Sequence, residues 1–379
     1  MGKTAIVTDS FRLGRIRGID IGFNWSLLVI AALITWSLAA AVFPNQNPGL
    51  ADGTYLAMAL VAAVLFFASI LLHELGHALQ AQRDGMEIDG ITLWLFGGVA
   101  RFKGMFPSAG AEFRIAIAGP VVSLLLGVLF VGIAVVLDGP QAVEGVAAWL
   151  GYINLALLVF NLLPALPLDG GRVLRSALWQ SRGDFGWATR VAASIGRGFG
   201  FLFIFGGLAL FILHGAFSGA WLAFIGWFLL GAASAENRYL IARQALDGLR
   251  VRDLMVEDPV TVDPGLTLAR FVDDTAWRHR FTTYPVVDGG RIVGLLPFSE
   301  VAKVPRAEWD ARVVGECYRP KADVLVVDAE RPVVEILAEL GEPGAGRALV
   351  CDEDRLVGLL SVTDVMRALQ IGQRRRPGS

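Results

Sequence analysis

The segment His73-Glu74-Leu75-Gly76-His77 sets two of the chain's four histidines one helical turn apart, with a glutamate beside them. Helical residues four apart share a face with ~6 Å between Cβ atoms, so both imidazoles can reach one metal ion. Zinc accepts imidazole nitrogen at ~2.0–2.1 Å, and Glu74 can take a proton from a metal-bound water. The pattern points to metal-assisted hydrolysis, as in a zinc protease. Its setting is an apolar run from about Tyr55 to Leu79, long enough to cross a bilayer. Ionisable groups at membrane depth are costly and mark function.

A catalytic zinc site has three protein ligands and one open position for water. The candidate for the third is Asp169, the only acidic residue between Glu144 and Asp184. It follows a stretch broken by Pro164 and Pro167 and precedes Gly170 and Gly171, so its carboxylate can turn back towards a helical bundle. On the residues alone, a plain helix-capping role for Asp169 stays open.

The elements that must position these groups follow from composition. The 379 residues are 55% hydrophobic and 18% charged, with mean hydropathy +0.57. Soluble domains carry about a quarter charged residues, so part of this chain faces lipid. Six candidate spans run approximately over 22–43, 55–81, 113–137, 146–166, 191–213 and 217–235, each near the ~20 residues a hydrocarbon core requires. The connections at 44–54, 138–145 and 214–218 hold no Lys or Arg, whereas the alternate side is rich in Arg. The positive-inside rule therefore puts both termini on the cytoplasmic side of the cell membrane. A net charge of -2 gives no argument for nucleic acid as a partner.

The expected organisation is a polytopic α-helical membrane domain over 1–235, a linker over 236–248, a soluble α/β module over 249–371 and a basic tail over 372–379. Within the membrane part, Arg12–Ile21 and Ile88–Lys103 have the composition of short interfacial β-strands, the second bent at Gly97-Gly98. The soluble part contains one pattern twice, over 249–304 and 312–371. Tyr284-Pro285-Val286-Val287-Asp288 answers Ala348-Leu349-Val350-Cys351-Asp352, and Gly294-Leu295-Leu296 answers Gly358-Leu359-Leu360. Cys317 and Cys351 read as small buried hydrophobes rather than a disulfide. His214 reads as interfacial, and His279 as solvated.

Leu71–Leu79 (LLHELGHAL) and Phe160–Leu178 (FNLLPALPLDGGRVLRSAL), extended by Ala116–Leu125 (AIAGPVVSLL) and the glycines near Phe96, resemble the site-2 protease family of intramembrane zinc metalloproteases. The C-terminal repeats resemble a tandem CBS pair, which packs as one pseudo-symmetric module and commonly forms homodimers. The resemblance implies one zinc ion held by His73, His77 and Asp169, with Glu74 as general base. It implies a transmembrane protein substrate, cut near the cytoplasmic face, and makes Asn161 an oxyanion or substrate contact. Asn154, seven residues earlier, reads as an interhelical packing bond. Ser123 departs from the Asn that relatives often carry there, which speaks against a role for that position. CBS pairs often bind ATP or AMP through a Ser/Thr and an Asp three residues on. Ser361 and Asp364 fit that pattern; Pro297 and Glu300, at the matching places of the first repeat, do not. The alternative from another class is a CBS-gated ion transporter, which should spread acidic residues over several spans.

Overall fold

The computed structural model describes residues 10–94, 97–102, 104–136, 139–246, 248–341, 345–352 and 355–374, without the side chains of 10, 236–244, 338 and 372–374. The chain divides into two compact units, one running through Leu240 and one from Ile241 onward.

The first unit opens with β1 (Ser10–Ile16) and β2 (Ile19–Asn24), an antiparallel hairpin turned at Arg17 and Gly18. Both turn residues have positive φ, 47° and 85°. The single strand expected over Arg12–Ile21 is therefore two, folded where Gly18 permits left-handed backbone. Helix α1 (Ser26–Ser37) passes through a π-helical turn into α2 (Phe43–Gln46). Helix α3 (Asp52–Arg83), strands β3 (Ile88–Trp94) and β4 (Gly97–Phe102), and helices α4 (Ala109–Val136) and α5 (Gln141–Asn161) follow. Helices α6 (Asp169–Arg182), α7 (Phe185–His214) and α8 (Phe217–Leu246) complete the unit.

Among the described residues, six helical segments are long and apolar enough to cross a membrane. They are Ser26–Gln46, Asp52–Arg83, Ala109–Val136, Gln141–Asn161, Phe185–His214 and Phe217–Ala235. The chain is an integral membrane protein, and each segment overlaps one expected span. The fourth stops at Asn161 instead of 166, because the Pro164 ring would meet the carbonyl four residues back. The stretch expected as a linker is helical as far as Leu246, as the end of α8.

Lipid offers these helices no hydrophobic drive to associate, so close backbone contact must hold them. In α7 and α8 glycines supply it. A Cβ on Gly226 would lie 2.6 Å from the Gly200 carbonyl oxygen, and one on Gly207 2.5 Å from that of Gly219. The four strands form one sheet in the order β1-β2-β3-β4, with β2 and β3 parallel. Ile19, Ile91 and Ala100 of this sheet pack on Leu75 and Ala78 of α3, beside the histidine motif.

The second unit holds both repeats. Strand β5 (Val256–Glu257) precedes a helical stretch running through α9 (Leu268–Arg270) and α10 (Trp277–His279). Strands β6 (Thr283–Asp288) and β7 (Arg291–Pro297) and the short α11 (Phe298–Val301) close the first repeat. The second repeat has β8 (Arg319–Pro320), β9 (Leu325–Val327), α12 (Val333–Leu340), β10 (Arg347–Asp352), β11 (Arg355–Ser361) and α13 (Val362–Arg374). Each repeat lends its first short strand to the other: β5 pairs with β11, and β8 with β7. This exchange ties the two copies into one α/β module. Gly294 and Gly358 make it sterically feasible, since a Cβ at the first would sit 2.1 Å from the Arg319 carbonyl oxygen and one at the second 2.5 Å from Met255 Sδ. Cys351 is buried, Cys317 is partly buried, and neither forms a disulfide.

Candidate metal centre

Helix α3 carries the motif because nothing in its long apolar stretch breaks the ladder, and its last turn ends in Arg83. His73 lies ten residues before that end, about 15 Å along the axis. Both rings point inward: His73 is 7% exposed, His77 4% and Asp169 9%. His77 Nε2 is 3.1 Å from His73 Nε2, and Asp169 Oδ2 lies 3.2 Å from His73 Nε2 and 3.3 Å from that of His77. Among the described residues these three form the one group of His, Cys, Asp and Glu close enough to share a metal ion.

The far side of each ring decides what the near side offers. His77 Nδ1 donates to the Ile115 carbonyl oxygen at 2.7 Å, leaving Nε2 as a bare lone pair. His73 Nδ1 meets Ser123 Oγ at 2.9 Å, which orients that ring likewise. Three electron-rich atoms thus converge in a buried space, and only a proton or a cation can reconcile them. Four ligands ~2.0–2.1 Å from a tetrahedral zinc stand about 3.3–3.4 Å apart; the observed edges of 3.1–3.3 Å fit that ion with little adjustment.

Gly119 of α4 faces the same space. A Cβ there would lie 2.2 Å from His77 Nε2 and 2.7 Å from His73 Nε2, where a shared ion would sit. Gly76 lets the two helices approach, since its Cβ direction meets the Ala118 carbonyl oxygen at 3.0 Å. Glu74, partly buried, turns towards β4: a Cβ on Gly98 would come 2.4 Å from Glu74 Cγ. The chain reverses between Trp94 and Gly97, which pair across β3 and β4, and Gly97 has a positive φ of 123°, in keeping with the expected glycine bend; Gly98 beside it allows close approach to Glu74. Leu95, Phe96 and Lys103, part of the expected strand and glycine loop, lie outside the described residues.

Asp169 opens α6 after the Pro-broken stretch, and Gly170 and Gly171 pack that helix start against backbone. Their Cβ positions would fall 2.2 Å from the Leu162 carbonyl oxygen and 2.3 Å from Leu166 N. Asp169 caps nothing through its side chain; its carboxylate is turned to the histidines. Asn161 ends α5 partly exposed, and no hydrogen bond among the described residues joins it to the three. Asn154 donates to the Leu150 carbonyl at 2.8 Å and to Ser69 Oγ on α3 at 3.4 Å, the expected interhelical link. Sequence reasoning passed over Ser123, and its signal was there: one hydroxyl in an apolar helix, a turn after Gly119. His214 and His279 are both exposed.

In the soluble unit Ser361 and Asp364 are side by side but engaged with each other. Asp364 Oδ2 accepts from Ser361 Oγ at 2.5 Å and from its N–H at 3.0 Å, and Ser361 Oγ accepts from the Asp364 N–H at 3.3 Å. This is a capping box at the start of α13. In the first repeat Glu300 pairs with Lys303 at 2.5 Å and Arg319 at 3.2 Å. These cations, Lys303 foremost, hold its carboxyl below the usual range.

The profile of peptidase family M50 matches residues 61–148 and 140–205, and that of the CBS domain matches 251–306 and 314–371. The chain is 38% identical over 374 residues to the zinc metalloprotease Rip3 of Mycobacterium tuberculosis, covering 97% of this chain and 95% of that one. It is 30% identical over 363 residues to the zinc metalloprotease MJ0392 of Methanocaldococcus jannaschii, covering 96% of each. Among solved structures, a site-2 protease from Methanocaldococcus jannaschii is 30% identical and covers 60% of this chain and 95% of its own, with a TM-score of 0.42. Likeness at 38% identity across nearly the whole length, joined to the M50 match over the histidine helix, makes the chain a member of peptidase family M50, a site-2 type zinc metalloprotease with a tandem CBS pair.

Proposed function

We propose that the chain is an intramembrane endopeptidase that cuts a transmembrane protein near the cytoplasmic face, with zinc on His73, His77 and Asp169. One observation carries the reading: three ligating atoms 3.1–3.3 Å apart, next to Glu74, on a helix apolar enough to span a bilayer. Bound there, zinc supplies a water acidified towards neutral pH and a Lewis acid for the scissile carbonyl. Glu74 takes the proton from that water and passes it to the leaving amine nitrogen. Ile115 and Ser123 hold the two imidazoles with Nε2 inward throughout. Asn161, at the end of α5, contacts the substrate or its developing oxyanion. Against the transporter alternative, the buried ionisable groups described in the membrane unit are the three at this site and one mutually neutralising pair, Glu112 and Arg175, rather than acidic residues spread over several spans.

A helical substrate has its carbonyls engaged in its own hydrogen bonds and must unwind to be cut. Strand β4 is an outer strand of its sheet and sits against Glu74 through Gly98. An unwound segment that added to β4 would lie along the catalytic carboxylate. The cytoplasmic orientation of the termini rests on the distribution of Arg and Lys. The second repeat binds ATP or AMP at Ser361 and Asp364, and the first, with Pro297 and the ion-paired Glu300, does not. A nucleotide there regulates cleavage only by favouring one state of the protease over another. The competing role for this module is a scaffold that pairs two chains.

Three measurements test these assignments. Purified in detergent and offered a transmembrane peptide, the Glu74→Gln chain should keep stoichiometric zinc while cleavage falls by about 10²-fold or more; cleavage at the native rate would remove Glu74 as the base. Val99→Pro and Ala100→Pro each delete one N–H from β4, and successive strand residues direct theirs to opposite sides. The variant losing the outward donor should cleave poorly with zinc intact, and two fully active variants would end the strand-addition idea. Calorimetry on the whole chain should find one ATP or AMP site, abolished in Asp364→Asn. No binding by the native chain would leave only the scaffold role.

A further inference from the structure

Helices α4 and α6 are joined by a buried ion pair remote from the metal site. Arg175 donates from Nε at 2.7 Å and from Nη2 at 2.5 Å to Glu112 Oε1, and the two side chains are 3% and 0% exposed. The guanidinium also lies 4.9 Å from the centre of the Phe185 ring. Such a pair is a poor device for stability alone. Desolvating two charges costs as much as their attraction returns, and apolar residues of similar size pack as well. Two guanidinium donors converging on one carboxylate oxygen, from a planar and rigid group, add direction.

The direction matters because of what else the two helices carry. One turn beyond Glu112, α4 presents the Ile115 carbonyl that orients His77, followed by Gly119 and by Ser123, which orients His73. Six residues before Arg175, α6 presents Asp169. Positions six apart are about 120° apart around a helix. Rotation that brings Arg175 onto Glu112 therefore also swings the Asp169 carboxylate to one side. Gly170 and Gly171 set how closely the start of α6 sits against the preceding chain, and Arg175, further along the helix, adds a second point of fixation.

We propose that Glu112 and Arg175 are positioning residues for the metal site, locking the rotation of α6 so that Asp169 meets the two histidines that α4 orients. The inference rests on the proposed zinc ligation. The buried pair registers the third ligand against the supports of the first two, and its loss changes metal affinity and geometry rather than folding.

The test uses the full chain in detergent, with zinc affinity from chelator competition, the visible spectrum of the cobalt-loaded protein, and thermal melting. In Glu112→Met/Arg175→Met both charges go and the volume stays. This variant should melt no lower than the native chain, bind zinc about 10–100-fold more weakly and show shifted cobalt bands. Arg175→Lys, which keeps the charge and loses the fork, should fall between. Affinity within twofold of native and an unchanged cobalt spectrum in the double variant would overturn the proposal and leave the pair a packing feature. If the double variant does not fold, Arg175→Lys decides, because it keeps the charge and loses the Nε and Nη2 donors; affinity within twofold of native in it would overturn the proposal equally. Absence of zinc binding by the native chain would instead remove the metal centre itself.

Discussion

Everything in the membrane unit answers to one electrostatic constraint: two imidazole nitrogens and a carboxylate oxygen, 3.1–3.3 Å apart, face one another where little water can screen them. Without a shared proton or a cation such convergence is repulsive. With zinc the three would become ligands of one ion with a fourth position open to water, and the fold has already met the cost of desolvating them. The neighbours are arranged accordingly. Ile115 and Ser123 take the outer face of each ring, so that both Nε2 atoms point inward. The carboxylate arrives at the start of a helix whose preceding chain two prolines have freed from regular structure.

Glycines make the convergence sterically possible. Gly76 allows α3 and α4 to approach, Gly119 leaves room between the histidines, Gly98 lets β4 rest on Glu74, and Gly170 and Gly171 seat the carboxylate helix against backbone. These contacts replace the hydrophobic drive that lipid withholds, and they cluster where the chemistry must be held to within fractions of an ångström. The same economy joins the two repeats of the soluble unit, where Gly294 and Gly358 admit the exchanged strands.

Much of this was legible in the sequence. The His-Glu-x-x-His spacing, the isolated Asp169 and the alternation of basic loops depend on local pattern and bulk hydropathy, which a single chain displays directly. Less legible were features fixed by tertiary approach. Gly97, with its positive φ, answers to its own backbone as the expected bend requires, but Gly98 answers to Glu74 across space, which no local pattern displays. The fourth span is shorter than its apolar run, since a proline limits a helix whatever the hydropathy says. Ser123 looked expendable as a departure from a family pattern, yet its hydroxyl does what an amide can do for a ring nitrogen. Glu112 and Arg175 lie 63 positions apart, and nothing local pairs them. Ser361 and Asp364 match a nucleotide-binding pattern in sequence and cap a helix in the structure, so the pattern alone does not tell a ligand site from a cap.

The central claim is that these three side chains hold one zinc ion, and X-ray absorption at the zinc edge of the purified full-length protein tests it most directly. The expected result is one zinc per chain, with a first shell of two imidazole nitrogens and oxygen at ~2.0–2.2 Å and no sulfur. His77→Ala should abolish that signal. A zinc-free protein, or a shell containing sulfur at ~2.3 Å, would contradict the account.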